Sequence, residues 1–208
     1  MGKPHPLSPQ SAGLVRADTA QLYRFFLRYT QRSFGELGVG DRAVVTYVAE
    51  VLTNFAQTDR LYRLDTPTVR QLDSVAETLA DQPVLQTDAG VGQDTSTGLW
   101  RERTVHKHLG DYTLFMSGLF RAYVEKLDAL DSYIQQGRQA YQQVSKLDVR
   151  LYQTGFLLFE ELAKNFEYYS GALDYMRKAH FAAGPGENPF GQFLRRVEGW
   201  VKTHLSQN

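Results

Sequence analysis

Large apolar side chains return every three or four residues along most of this chain, the period of one face of an α-helix. Asp18 and Gln21 have the spacing of a capping box, and Leu22, Phe25, Phe26 and Tyr29 form an apolar stripe behind it, which predicts a helix over about 18–33. Gly35, Gly38 and Gly40 end it. Asp41 is placed to cap a second helix whose face is Val44, Val48, Val51 and Phe55. Thr66 followed by Pro67 begins a short third one through Val69, Leu72, Ala76 and Leu79. Beyond it, 82–98 is rich in Gly, Asp, Ser and Thr and reads as a long loop, the one credible hinge of the chain.

The strongest helical pattern runs from Arg101 to Met176. Val105, Leu109, Tyr112, Met116, Leu119, Tyr123 and Leu127 share a face, with Gly110-Asp111 open to two readings: a continuous helix, or one helix ending and another being capped. Leu130, Ile134, Gly137, Tyr141 and Val144 make the next. Leu151, Gly155, Leu158, Leu162, Phe166, Tyr169, Leu173 and Met176 predict the longest helix, whose stripe Phe156 and Phe159 widen, so it is expected at the centre of the core. After a break at Gly184-Pro185-Gly186, Phe190, Leu194, Val197, Val201 and Leu205 predict a last helix. Alternating strand patterns and fixed-period repeats are missing. The expected architecture is all-α: a single-domain bundle of six to eight helices over 17–208, preceded by a flexible tail of 1–16 that carries Pro4, Pro6 and Pro9.

Composition narrows the chemistry. The 208 residues carry 23 basic and 23 acidic side chains, so any nucleic-acid or anionic membrane partner must be met by a local patch rather than by the overall charge. Cysteine is absent, which excludes disulfides, thiolate metal sites and a cysteine nucleophile. With no leader pattern and no apolar run of spanning length, a cytoplasmic protein is expected.

The candidate chemistry gathers between His106 and Tyr112. On a continuous helix, Asp111 lies three residues and Tyr112 four residues after His108, so a carboxylate could orient the imidazole with a phenol on the same face: a possible acid/base group, or a ligand site that Phe115 would extend. The competing reading is a capping aspartate and two half-buried side chains. His106 and His108 diverge by about 200° on a helix and cannot share a metal there. Glu160, Glu167 and Asp174 lack the Glu-x-x-His partners of a carboxylate-bridged metal bundle, and Lys164 and Lys178 follow Glu160 and Asp174 at ion-pair spacing, so they read as a solvated face. Arg24, Arg28 and Arg32, and the cluster of Arg101, Arg103 and Lys107, are basic groups better suited to a protein contact or to solvent than to nucleic acid. No metal and no cofactor is expected.

The block from His108 to Phe120, His-Leu-Gly-Asp-Tyr-Thr-Leu-Phe-Met-Ser-Gly-Leu-Phe, resembles one found in uncharacterised bacterial all-helical proteins. The resemblance implies no activity, only that Gly110 and Gly118 let helices approach closely. Together these features lead to a non-enzymatic helical protein acting through protein–protein interaction or self-association, since tyrosine-rich and arginine-rich faces suit interfaces. The alternative is a small-molecule binder or enzyme with a bundle-core pocket near His108, Asp111 and Tyr112.

Overall fold

The computed structural model describes residues 9–56 and 95–181, and side chains over 19–56 and 96–181. Among the described residues every regular element is a helix: α1 (Pro9–Glu36), α2 (Arg42–Ala56), α3 (Thr95–Leu119), α4 (Arg121–Lys126), α5 (Leu130–Arg150), α6 (Phe156–Lys164) and α7 (Phe166–Phe181). The expected short helix at Thr66, most of the expected loop and the expected C-terminal helix lie outside the described residues.

The all-α reading holds, and several boundaries move. The first helix begins at Pro9, so 9–16 belong to it rather than to a tail; proline at a helix start forfeits only an N–H that has no partner within the helix. Asp41 caps α2 as expected, its Oδ1 accepting the Ala43 N–H at 2.7 Å and the Val44 N–H at 3.3 Å. Between α1 and α2 the chain reverses through Gly38, whose φ of +80° favours a residue without a Cβ. Thr95 to Gly98, assigned from sequence to the long loop, form the first turn of α3.

Helix α3 runs unbroken through Gly110-Asp111, which resolves the two readings in favour of continuity. It breaks instead at Phe120, whose backbone leaves the helical basin before α4. The longest predicted helix is likewise two. Residues 151–155 form a turn with Tyr152 at φ +53°, α6 follows, and Asn165 steps out of the helix before α7. Asn165 donates its side-chain amide to Glu161 Oε1 at 2.7 Å, and its carbonyl accepts the Tyr169 N–H at 3.1 Å, so one helix ends and the next begins at the same residue. A one-residue break leaves the apolar spacing intact, which is why periodicity cannot detect it.

The centre of the core is α3, not the segment around Leu162. Every residue from 110 to 120 is buried, because α5 and α7 pack on α3, with α2 against the stretch from His108 to Phe115. Leu162 and Phe166 are also fully buried, at the seam where α6 and α7 meet the bundle. A helix enclosed on all sides needs small residues where neighbours cross. A Cβ at Gly110 would come within 2.6 Å of the Tyr141 ring, and one at Gly118 within 2.6 Å of Leu173, so both glycines serve close approach as the sequence suggested.

Candidate functional site

Three residues spaced by four along α3, Arg103, Lys107 and Asp111, form one charged edge of that helix. Each finds a partner from another helix or from this edge itself. Arg103 forks onto the fully buried Asp148 of α5 through Nε to Oδ1 and through Nη2 to Oδ2, the latter at 3.2 Å. Its guanidinium also lies 5.6 Å from the centroids of both the Phe159 and the Trp100 rings. One turn on, Lys107 Nζ donates to Asp111 Oδ2 at 2.8 Å and stands 4.9 Å from the centre of the Tyr47 ring.

Asp111 is the hub. Its Oδ1 accepts the Tyr47 hydroxyl of α2 at 2.5 Å and the Tyr141 hydroxyl of α5 at 3.0 Å. The two tyrosine rings meet edge-on at 6.2 Å, and Phe159 of α6 packs against both, 5.3 Å from Tyr47 and 5.7 Å from Tyr141. Three helices therefore meet at one carboxylate, and a fourth, α6, packs on its two phenol partners. Burial, followed by the nearby Asp111 charge, pushes both phenols well above the ordinary tyrosine range, so each keeps its proton and acts as a donor. With Arg103 set against Asp148 and Lys107 against Asp111, the cluster is charge-neutral as a unit.

The residues singled out from sequence divide between two faces of α3. His108 and Tyr112 are about 40° apart around the helix, whereas Asp111 is about 60° from His108 in the opposite sense. Phe55 of α2 packs against His108 at 6.1 Å, Tyr112 at 6.4 Å and Phe115 at 4.7 Å, an aromatic cluster on one face. Asp111 faces Tyr47 and Tyr141, so its hydrogen bonds go to two phenols and an ammonium group. His106 lies in a third setting: its Nε2 is 3.9 Å from Glu102 Oε1, and burial holds its imidazole below the usual histidine range.

Sequence reasoning missed Tyr47, Tyr141 and Asp148, and read Arg103 and Lys107 as part of a surface cluster. A usable signal existed for Tyr141, which sits in an otherwise apolar stripe where a buried hydroxyl requires a partner. Of the expected solvated carboxylates, Glu160 and Glu167 are exposed, but Asp174 is buried and bridged by Lys178 at 2.5 Å and Arg177 at 3.5 Å.

Two open grooves, of about 940 and 610 Å³, run along the outer side of α5, α6 and α7 and share Arg138, Lys164 and Glu167; His108, Asp111 and Tyr112 line neither. Among the described residues no group of three or more His, Asp or Glu is arranged to hold a metal ion, and no helix is long and apolar enough to cross a membrane. No protein-family model, curated protein or solved structure matches the chain, so the functional reading rests on the geometry of its own residues.

Proposed function

We propose that this is a cytoplasmic, non-enzymatic helical protein that works by binding a protein partner or a second copy of itself. The observation that carries the reading is the saturation of Asp111. Its oxygens accept two phenols and an ammonium group inside the core, so the carboxylate that an acid/base mechanism would use is engaged with Tyr47, Tyr141 and Lys107. Residue types enriched in interfaces meanwhile face outward. Tyr168 and Tyr175 expose their rings on α7, and Arg24 and Arg28 are exposed on α1 with no ion pair among the described residues.

Native mass spectrometry of the full chain purified from its own host tests this. A doubled mass or a co-purifying protein, unchanged in His108→Ala, is the expected result. A retained metabolite-sized mass that His108→Ala removes while the fold persists would replace this reading with a small-molecule site beside Phe55, His108 and Tyr112.

A further inference from the structure

The turn that joins α5 to α6 ends α5 in a Schellman motif: the Gln153 N–H donates to the Asp148 carbonyl at 2.8 Å and the Tyr152 N–H to the Val149 carbonyl at 3.2 Å. In that motif the residue after the C-cap takes the left-handed conformation and is usually glycine. Here it is tyrosine, at φ +53°, with its side chain 95 % exposed. A ring so exposed adds little to packing, and a Cβ in the left-handed basin is a strain that glycine would relieve. A strained backbone that holds a large aromatic side chain out in solvent marks Tyr152 as serving something outside its own chain.

The open groove of about 940 Å³ begins beside this turn. Val149, three residues before Tyr152, and Phe156, four residues after it, both line the groove, and Ile134 and Ala163 add apolar surface further along. Ser145 Oγ donates to the Phe156 carbonyl at 2.9 Å, which fixes the register of the two helices that form it. The lining also carries three cations and three carboxylates. Two of these, Lys146 and Glu160, are exposed and have no ion pair among the described residues. A projecting aromatic anchor therefore stands next to an amphipathic groove that holds an unpaired charge of each sign.

We infer that this region is an interface between two copies of the chain, related by a two-fold axis beside the turn, in which Tyr152 of each copy enters the α5–α6 groove of the other. The inference rests on the self-association reading above and names its surface. A two-fold contact uses one patch twice, so anchor and seat must lie together on it and its charges must complement themselves. Tyr152 is separated from the groove-lining Val149 and Phe156 by a few residues of chain, and Lys146 of each copy meets Glu160 of the other in two equivalent ion pairs. The groove also suits a tyrosine, with apolar surface for the ring and the Gln142 amide for the hydroxyl. An unrelated protein would have to fill the groove with an anchor of its own and leave Tyr152 unseated, whereas a second copy meets both needs at once.

Sedimentation velocity of the full chain over a concentration series tests this. A reversible dimer is expected, and Tyr152→Gly, which suits the left-handed backbone, should weaken it about tenfold. At concentrations where both proteins are monomeric, the variant's melting midpoint should be equal or higher, because the strain is relieved; a lower midpoint makes the ring part of the fold and overturns the proposal. Lys146→Glu and Glu160→Lys should each weaken the dimer about tenfold by setting like charges against each other across the axis. Mixing the two single variants should restore it, since every cross pair is then Glu with Lys. A dimer that survives Tyr152→Gly, or charge variants that stay apart on mixing, overturns this interface while self-association stands. A chain that is monomeric throughout but brings a different protein out of its host overturns it and keeps the broader reading of partner binding. A monomer that co-purifies with nothing removes both.

Discussion

Two successive stretches of α3, 103–111 and 114–119, meet their neighbours by different means. Toward its N-terminus, Arg103, Lys107 and Asp111 meet Asp148, Tyr47 and Tyr141 in a charged network. Toward its C-terminus, Leu114, Phe115, Met116 and Leu119 are enclosed by apolar neighbours, and polar contact is limited to neutral groups such as Ser170 Oγ donating to Ser117 Oγ at 3.0 Å. Ionic contacts have narrow geometry, so the first stretch discriminates between helix registers. Apolar packing is tolerant of direction and scales with area, so the second stretch supplies the larger net stabilisation. A buried ion pair can thus be costly to break without being a large net source of stability.

Breaking the charged stretch at one partner should have the largest effect. Asp148→Ala leaves Arg103 facing a buried site with no counter-ion, and chemical denaturation should show a loss of about 3–5 kcal/mol. The double replacement Arg103→Met with Asp148→Leu should lose much less than the single one; an equal or greater loss would show that the pair itself is strongly stabilising. In the apolar stretch, Leu114→Ala should cost about 2–5 kcal/mol, with no partner substitution that restores it except a larger neighbour filling the cavity.

Removing one donor from the hub is milder. Tyr47→Phe and Tyr141→Phe should each cost about 1.5–3 kcal/mol, the range for a hydrogen bond to a charged group. Because both phenols share Asp111 Oδ1, the double variant should depart from the sum of the two, and strict additivity would mean that the network is not coupled. The smallest effect concerns pH. Burial lowers the His106 pKa in the folded protein, so the unfolded chain takes up the proton first as the pH falls. The stability associated with its neutral ring is complete above about pH 6.5 and declines as the pH drops below that value. His106→Asn should flatten this part of the stability profile, and an unchanged slope would assign it to another group.

Much of the fold was legible because burial on one face writes a helical period into the sequence, as in α2 with its Asp41 cap and Val44, Val48 and Phe55 face. Events confined to one residue were not. Phe120 and Asn165 break helices without disturbing the apolar spacing, so α3–α4 and α6–α7 each read as continuous. The site was half legible: Asp111 stood out, but its partners did not. Arg103 and Asp148 are separated by 45 residues, and a charge destined for the core looks in sequence like a charge destined for water. Lys107 precedes Asp111, the less favourable order for a helical ion pair, so its local spacing carried little signal. Only after α2 and α5 have closed over α3 does the reason for these charges become visible.

The Gly110 contact also constrains how this sequence can drift. An alanine at 110 would need the ring at 141 to shrink or shift, yet a smaller side chain at 141 takes a donor away from Asp111. Replacing Asp111 by an apolar residue would in turn strand the Tyr47 hydroxyl and the Lys107 ammonium. Positions 47, 107, 110, 111 and 141 therefore form a mutational lock, in which single steps are penalised and only concerted replacements are open. Among descendants of this chain, that set is expected to change together or not at all.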